Sequence, residues 1–126
     1  MISQNNRPVF INLFQIKLPV AGVMSIAHRA AGVFMFISIP FWLYVLQLSL
    51  QSAESFARAA EIVQSNWLMP VYVLLLWSLF HHLLAGVRYL LLDIDIGVEK
   101  PLFRQTALAV LVAAPVVVIL ILAVAL

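Results

Sequence analysis

The chain contains no cysteine. Disulfides, thioether-linked haem and thiolate-held iron–sulfur clusters are therefore excluded within this polypeptide. Any part it plays in electron transfer must rest on a non-covalent cofactor or on another subunit. Charge is nearly as scarce. Only 10% of the 126 residues are charged and 65% are hydrophobic, whereas an ordinary soluble domain is about a quarter charged and about half apolar. A net charge of +2 is too small to suggest a nucleic-acid partner. The opening MISQNNRPVF has neither the short apolar core nor the small-residue cleavage site of a signal peptide, and it is too short for an Arg-rich transit sequence. The first spanning segment is expected to target the chain itself.

Uninterrupted apolar sequence is what the chain has in abundance. A spanning helix needs about 20 mostly apolar residues. No charge falls between Ala30 and Ala53, between Ile62 and Val87, or from Gln105 to Leu126. These runs predict an all-α membrane protein with three transmembrane helices, at about residues 20–50, 63–90 and 104–126, in one domain over 1–126. Pro40 and Pro115 fall inside two of the spans, where neighbouring helices re-satisfy the freed carbonyls. Pro19 and Pro70 fall near helix starts, where a missing N–H costs little, and Asn66 is the expected N-cap of the second helix. Residues 8–18, PVFINLFQIKL, are too short to span and are broken by Asn12, Gln15 and Lys17. A short N-terminal interfacial segment is expected there.

Lys and Arg set the direction. Arg7, Lys17 and Arg29 lie on the N-terminal side of the first span, and Arg88, Lys100 and Arg104 follow the second. Only Arg58 lies in the loop between them. The positive-inside rule then puts the N-terminus and the second loop in the cytoplasm and the C-terminus outside. Trp67, at the outer start of the second span, suits an interfacial belt or a packing role.

The few polar residues inside the spans carry the chemistry. Ser25, His28, Arg29 and Gly32, in SIAHRAAG, share one helical face at the cytoplasmic start of the first span. His81, His82, Gly86 and Arg88, in HHLLAGVR, lie at the cytoplasmic end of the second. The orientation brings both clusters to similar depth, with His82 about 9 Å along the helix from Arg88. For Arg29 alone, snorkelling to the phosphates is a sufficient account. Its neighbours Ser25 and His28 argue for more. A hydroxyl, an imidazole and a fixed cation suit a quinone, whose carbonyls accept hydrogen bonds and whose one-electron-reduced form is anionic. His82 reads either as a histidine hydrogen-bonded across a helix interface or as an axial ligand of haem iron. Gly86, four residues on, leaves room for a flat macrocycle. Arg88, His28 or Arg29 could pair with a haem propionate. A second axial histidine is expected from a partner chain, with His28 the less favoured source. His81 points roughly 100° away from His82 and is given no ligand role. Asp93 and Asp95 read as solvated loop charges or as a docking point for a soluble subunit.

At these residues the chain resembles the cytochrome b, or larger membrane-anchor, subunit of succinate dehydrogenase, the succinate:quinone oxidoreductase. The matching pieces are Arg7 and Pro8, an S-x-x-H-R-x-x-G pattern at Ser25, His28, Arg29 and Gly32, and an H-x-x-x-G-[IV]-R pattern at His82, Gly86, Val87 and Arg88, followed by Asp93. The resemblance covers nearly the whole chain. It implies that His82 is the axial ligand of haem b and that Ser25 and Arg29 line a ubiquinone pocket with Leu18 at its apolar wall. It places His28 near the quinone and the haem propionates. It implies a complex with a flavoprotein, an iron–sulfur subunit and a smaller membrane-anchor subunit that shares the haem and supplies its second ligand, in a bacterial cytoplasmic (inner) membrane. The chain would not be catalytic alone. One position departs from the pattern: many family members carry a second His directly after G-[IV]-R, where this chain has Tyr89. Three other readings stand beside this one: a haem-free structural anchor, a fumarate reductase anchor, and a small proton or ion pathway built on His28, Arg29 and His82.

Overall fold

The structure, a computed structural model, describes residues 16–125. The interfacial segment expected over residues 8–18 therefore lies almost wholly outside the described residues, as do Arg7 and Pro8. The described residues form α1 (Val20–Ser49), α2 (Ala53–Val63), a 3₁₀ turn (Asn66–Leu68), α3 (Met69–Asp93) and α4 (Lys100–Ala125). Three helical stretches, Val20–Ser49, Asn66–Asp93 and Lys100–Val124, are long and apolar enough to cross a membrane. At 1.5 Å per residue α1 is about 45 Å long, more than a hydrocarbon core of about 30 Å requires, so tilt or extension into the headgroup zone takes up the excess.

The helices run up, down and up, with α3 packed between α1 and α4 and α1 also touching α4. Where they cross, the buried residues are small: Ala31, Ala85, Ala107 and Ala114 are all within 1% of complete burial. Small side chains let backbones approach closely, which is how helices associate in lipid, where no hydrophobic force draws them together. Met24 fills the space between Ala85, Ala107 and Val110, with Val20, Leu84 and Leu111 around them. The large apolar residues point the other way. Phe36, Ile37, Leu83, Leu90 and Ile119 each leave more than half their surface uncovered, as suits contact with acyl chains or with further transmembrane helices.

The helix ends follow the expected punctuation with three corrections. Pro19 caps α1 and Pro70 lies in the first turn of α3, while Pro40 and Pro115 sit inside α1 and α4. The second span, expected from residue 63, begins at Asn66 as a 3₁₀ turn and becomes α-helical at Met69. Asn66 is the first residue of that turn, and Ser65 precedes it as its cap. The third span starts at Lys100, a turn before the expected residue 104, because Lys and Arg at a helix end are compatible with the headgroup zone. The largest difference is α2, which lies where the apolar runs predict only a loop. Its start is a reciprocal cap: the Ser52 hydroxyl accepts from the Ser55 N–H, and the Ser55 hydroxyl accepts from the Ser52 N–H. Ser55 and Ala59 are buried against α1, while Glu54 and Arg58 face outward. The Tyr72 hydroxyl donates to the Val63 carbonyl at 2.6 Å and ties α3 to the end of α2.

The α3–α4 link returns the chain within a few residues. Ile96 donates to the Leu91 carbonyl at 2.9 Å and Asp95 to the Leu92 carbonyl at 3.0 Å, the paired bonds of a Schellman motif. Asp95 takes the left-handed position at φ 61°, which Asp tolerates better than most side chains. Gly97 follows at φ 84°, where only glycine is unstrained. This tight return sets Lys100 and α4 beside the end of α3.

Candidate functional site

The start of α1 and the second half of α3 bring the two polar clusters together. The imidazoles of His28 and His82 stack with centroids 4.1 Å apart and planes 17° from parallel. Nδ1 of His82 lies 3.2 Å from the main-chain carbonyl oxygen of His28. A carbonyl can only accept, so Nδ1 of His82 carries the proton and Nε2 keeps its lone pair for another partner. Tyr89, one helical turn beyond Ala85, meets His28 edge-on at 5.4 Å. Tyr89 thus forms an aromatic wall for His28. The Nε2 atom of His28 is buried without a hydrogen-bond partner.

Two glycines shape this meeting point. A side chain on Gly32 would put its Cβ 2.9 Å from Cε1 and 3.2 Å from Nδ1 of His82. The position of the His82 ring therefore requires glycine there. At Gly86, on the His82 face of α3, an added Cβ meets nothing within 4 Å, so open space adjoins the backbone beside the imidazole. Past Gly32 and His82, the same α1–α3 seam widens into an apolar groove of about 410 Å³ lined by residues that include Met35, Ser38, Trp42 and Tyr72. A larger apolar groove of about 620 Å³, lined by Met69, Trp77, Pro115 and Leu122 among others, lies toward the opposite end of the bundle and holds no charged or titratable group.

His81 belongs to a different environment from its neighbour. It is fully buried, stacks on Trp77 at 5.1 Å and places Nε2 3.4 Å from the Met24 carbonyl. By the same donor rule its proton sits on Nε2, and its bare Nδ1 is buried without a partner, as is the hydroxyl of Ser78 three residues before it. The two adjacent histidines thus hold opposite tautomers. His82 presents a free nitrogen to an open face, whereas His81 is enclosed between helices. The His28 ring lies face to face with that of His82.

Ser25 and Arg29 flank the pair on α1. Ser25 is half-buried; Arg29 is exposed, and its Nε donates to the Ser25 carbonyl at 3.4 Å. Leu18 stands just before the helix with 39% of its surface exposed. Arg88 is the sequence-derived candidate that the structure does not bring to this group. It lies six residues from His82, about 120° around the helix, and only 5% of it is exposed. Its Nε donates to the Thr106 hydroxyl at 3.0 Å and its Nη2 to the Phe103 carbonyl at 2.9 Å, with the guanidinium carbon 4.6 Å from the Phe103 ring centroid. In this arrangement Arg88 clamps α3 to α4. Bonds of this charged kind contribute about 1.5–3 kcal/mol each in soluble proteins. Thr106 and Phe103 escaped the sequence reading because only the α3–α4 return sets them opposite Arg88. Among the described residues no three His, Asp or Glu side chains are placed to hold a metal ion by themselves.

Comparison with known proteins extends this picture along the chain. The sequence model of a family described as succinate dehydrogenase/fumarate reductase transmembrane subunit matches residues 3–121. The succinate dehydrogenase cytochrome b556 subunit of Coxiella burnetii is 33% identical over 116 residues, covering 90% of this chain and 92% of that protein. Its namesake from Paracoccus denitrificans is 31% identical over 122 residues, covering 94% and 92%. The human mitochondrial succinate dehydrogenase cytochrome b560 subunit is 30% identical over 115 residues, covering 86% of this chain and 65% of that longer protein. Three spanning helices, the paired polar clusters and a family match across nearly the full length agree: this multi-pass membrane chain belongs to the succinate dehydrogenase/fumarate reductase transmembrane subunit family.

Proposed function

We propose that this chain is the cytochrome b anchor of a succinate:quinone oxidoreductase, holding haem b and ubiquinone in a bacterial cytoplasmic membrane. The cytochrome b name of its relatives, both bacterial and mitochondrial, supports the haem. The residues present also fit one. His82 offers an imidazole whose Nδ1 is engaged by a carbonyl and whose Nε2 is free. Metal-bound histidines generally donate their other N–H to just such an acceptor. Gly86 leaves open space beside that ring, and His28 holds a buried nitrogen lacking a partner. This arrangement, an imidazole held ready on an open face, is the observation that carries the proposal.

When bound, the haem supplies a one-electron carrier near the quinone. The chain's own residues do the rest. His82 would hold the iron through Nε2, and His28 and Arg29 would meet the propionates. Ser25 offers a hydroxyl to a quinone carbonyl. Arg29 stabilises negative charge that develops on that oxygen as electrons arrive, and Leu18 walls the pocket. The chain offers one imidazole for the iron, and a smaller anchor subunit would supply a second. With no cysteine of its own, the chain takes its electrons from an iron–sulfur subunit, itself fed by a flavoprotein that oxidises succinate. Lys17, Arg29, Arg88, Lys100 and Arg104 gather at one end of the bundle, and the positive-inside rule supports a cytoplasmic position for that end.

A reduced-minus-oxidised spectrum of the purified complex tests the proposal. A b-type α-band at one haem per complex is expected. A spectrum without haem would leave only a structural anchor.

A further inference from the structure

Gly32 is part of the motif on α1, but nothing in the proposed chemistry uses it. It has no side chain to offer a quinone, a haem or a proton. Its surroundings explain its presence. The ring of His82 occupies the place where a Cβ on residue 32 would sit, at 2.9 Å from Cε1 and 3.2 Å from Nδ1. Real Cβ atoms essentially never sit as close as 2.9 Å to a neighbour, so a larger residue would push the imidazole away from α1. The same close approach permits two other contacts. Nδ1–H reaches the His28 carbonyl at 3.2 Å, and the ring lies against His28 at 4.1 Å. The acceptor is main-chain and belongs to a helix, so it cannot rotate away.

We infer that Gly32 and the His28 main-chain carbonyl are positioning groups that set the plane, tautomer and electron donation of the His82 imidazole toward a haem iron. The inference rests on the proposed role of His82 as axial ligand. Three contacts fix the ring. The missing Cβ sets how deeply it sits, the carbonyl fixes the rotation that aims Nε2 outward, and the His28 ring restrains its tilt. The hydrogen bond also shifts electron density onto the ring and so makes Nε2 a better donor; losing such an outer partner commonly weakens metal binding 10–100-fold. Gly86 plays a different part. An added Cβ there meets nothing in the chain itself, so the space it leaves belongs to whatever lies against α3.

Gly32→Ala in the assembled complex tests the inference, read by electron paramagnetic resonance of the oxidised haem and by redox titration. Gly22→Ala in the same helix is the control, because its Cβ meets only Pro19 at an ordinary 3.5 Å. A shifted low-field g value and a shifted midpoint potential in Gly32→Ala, with Gly22→Ala matching the parent complex, are expected. Haem loss from a Gly32→Ala complex that still assembles and still reduces soluble dyes with succinate supports the inference equally. Unchanged g values and potential would overturn it, as would equal shifts in both variants. If Gly32→Ala does not assemble, nitrogen electron–nuclear double resonance on the parent haem decides. An Nδ1 quadrupole coupling on the His82 imidazole reduced from that of a haem imidazole whose Nδ1–H has no acceptor is expected, and an unreduced coupling overturns the inference. A His82→Leu complex with an unaltered haem spectrum defeats the ligand assignment instead, so the two failures are distinguishable.

Discussion

A complex carrying His82→Leu is expected to lose the b-type α-band or to shift it to a five-coordinate form, while the neighbouring His81→Leu variant keeps it. The contrast follows from geometry. Leucine approximates the volume of either imidazole, so packing changes little at His82, which lies on the half-open α1–α3 seam. What vanishes there is the free Nε2 beside Gly86. At His81 the enclosed ring gives up only a long hydrogen bond to the Met24 carbonyl and a stack on Trp77. It also removes a buried Nδ1 that has no partner, and replacing an unsatisfied buried polar group with an apolar one of similar size is nearly neutral or stabilising. Optical spectra and pyridine haemochrome assays on purified complexes measure both variants. Retention of the band in His82→Leu together with its loss in His81→Leu would mean that the ligand had been assigned to the wrong histidine.

Arg29→Ala carries the second large effect. Its guanidinium is exposed on the flank of the histidine pair and is tethered only by one long bond to the Ser25 carbonyl, so its loss removes little from the fold. A hydrogen bond to a charged group contributes about 1.5–3 kcal/mol, and about 1.4 kcal/mol is tenfold in rate. Succinate-to-quinone activity should therefore fall roughly 10- to 100-fold. Reduction of a soluble dye by the flavoprotein should be unchanged. Ser25→Ala should act in the same direction and less strongly, because a neutral hydroxyl contributes about 0.5–1.5 kcal/mol. Arg29→Lys should restore part of the rate, since it keeps the charge and loses the planar fork. Parallel loss of the quinone and dye activities would indicate failed assembly, and full quinone activity in Arg29→Ala would remove this residue from the site.

The parts of this account that could be read from the sequence were those written in one helix. Three apolar runs predicted three spans, since length and hydropathy act locally. The juxtaposition of His28 with His82 could be anticipated from helix direction alone, because antiparallel spans put the start of one beside the end of the next. The features that eluded sequence reasoning are those decided between elements. The bonds of Arg88 to Thr106 and Phe103 depend on the α3–α4 return, which no single helix encodes. Helix geometry separates His81 from His82 by about 100°, but only the packing of α3 against α1 makes the first the enclosed one. The helix α2 was missed because its signal is a Ser–Ser reciprocal cap and a narrow face of Ser55 and Ala59, too small to register against the apolar runs on either side. Gly32 had a visible position and no visible reason, and the reason is a ring 50 residues away in sequence.

The most direct measurement is an electron cryo-microscopy map of the intact complex at a resolution that separates imidazole rings. A haem whose iron is bound by Nε2 of His82 and by an imidazole of another subunit is expected. Arg29 and Ser25 should lie beside the quinone pocket near the cytoplasmic surface. A haem ligated elsewhere, or His82 facing bare lipid in a complex that holds its haem, would contradict it.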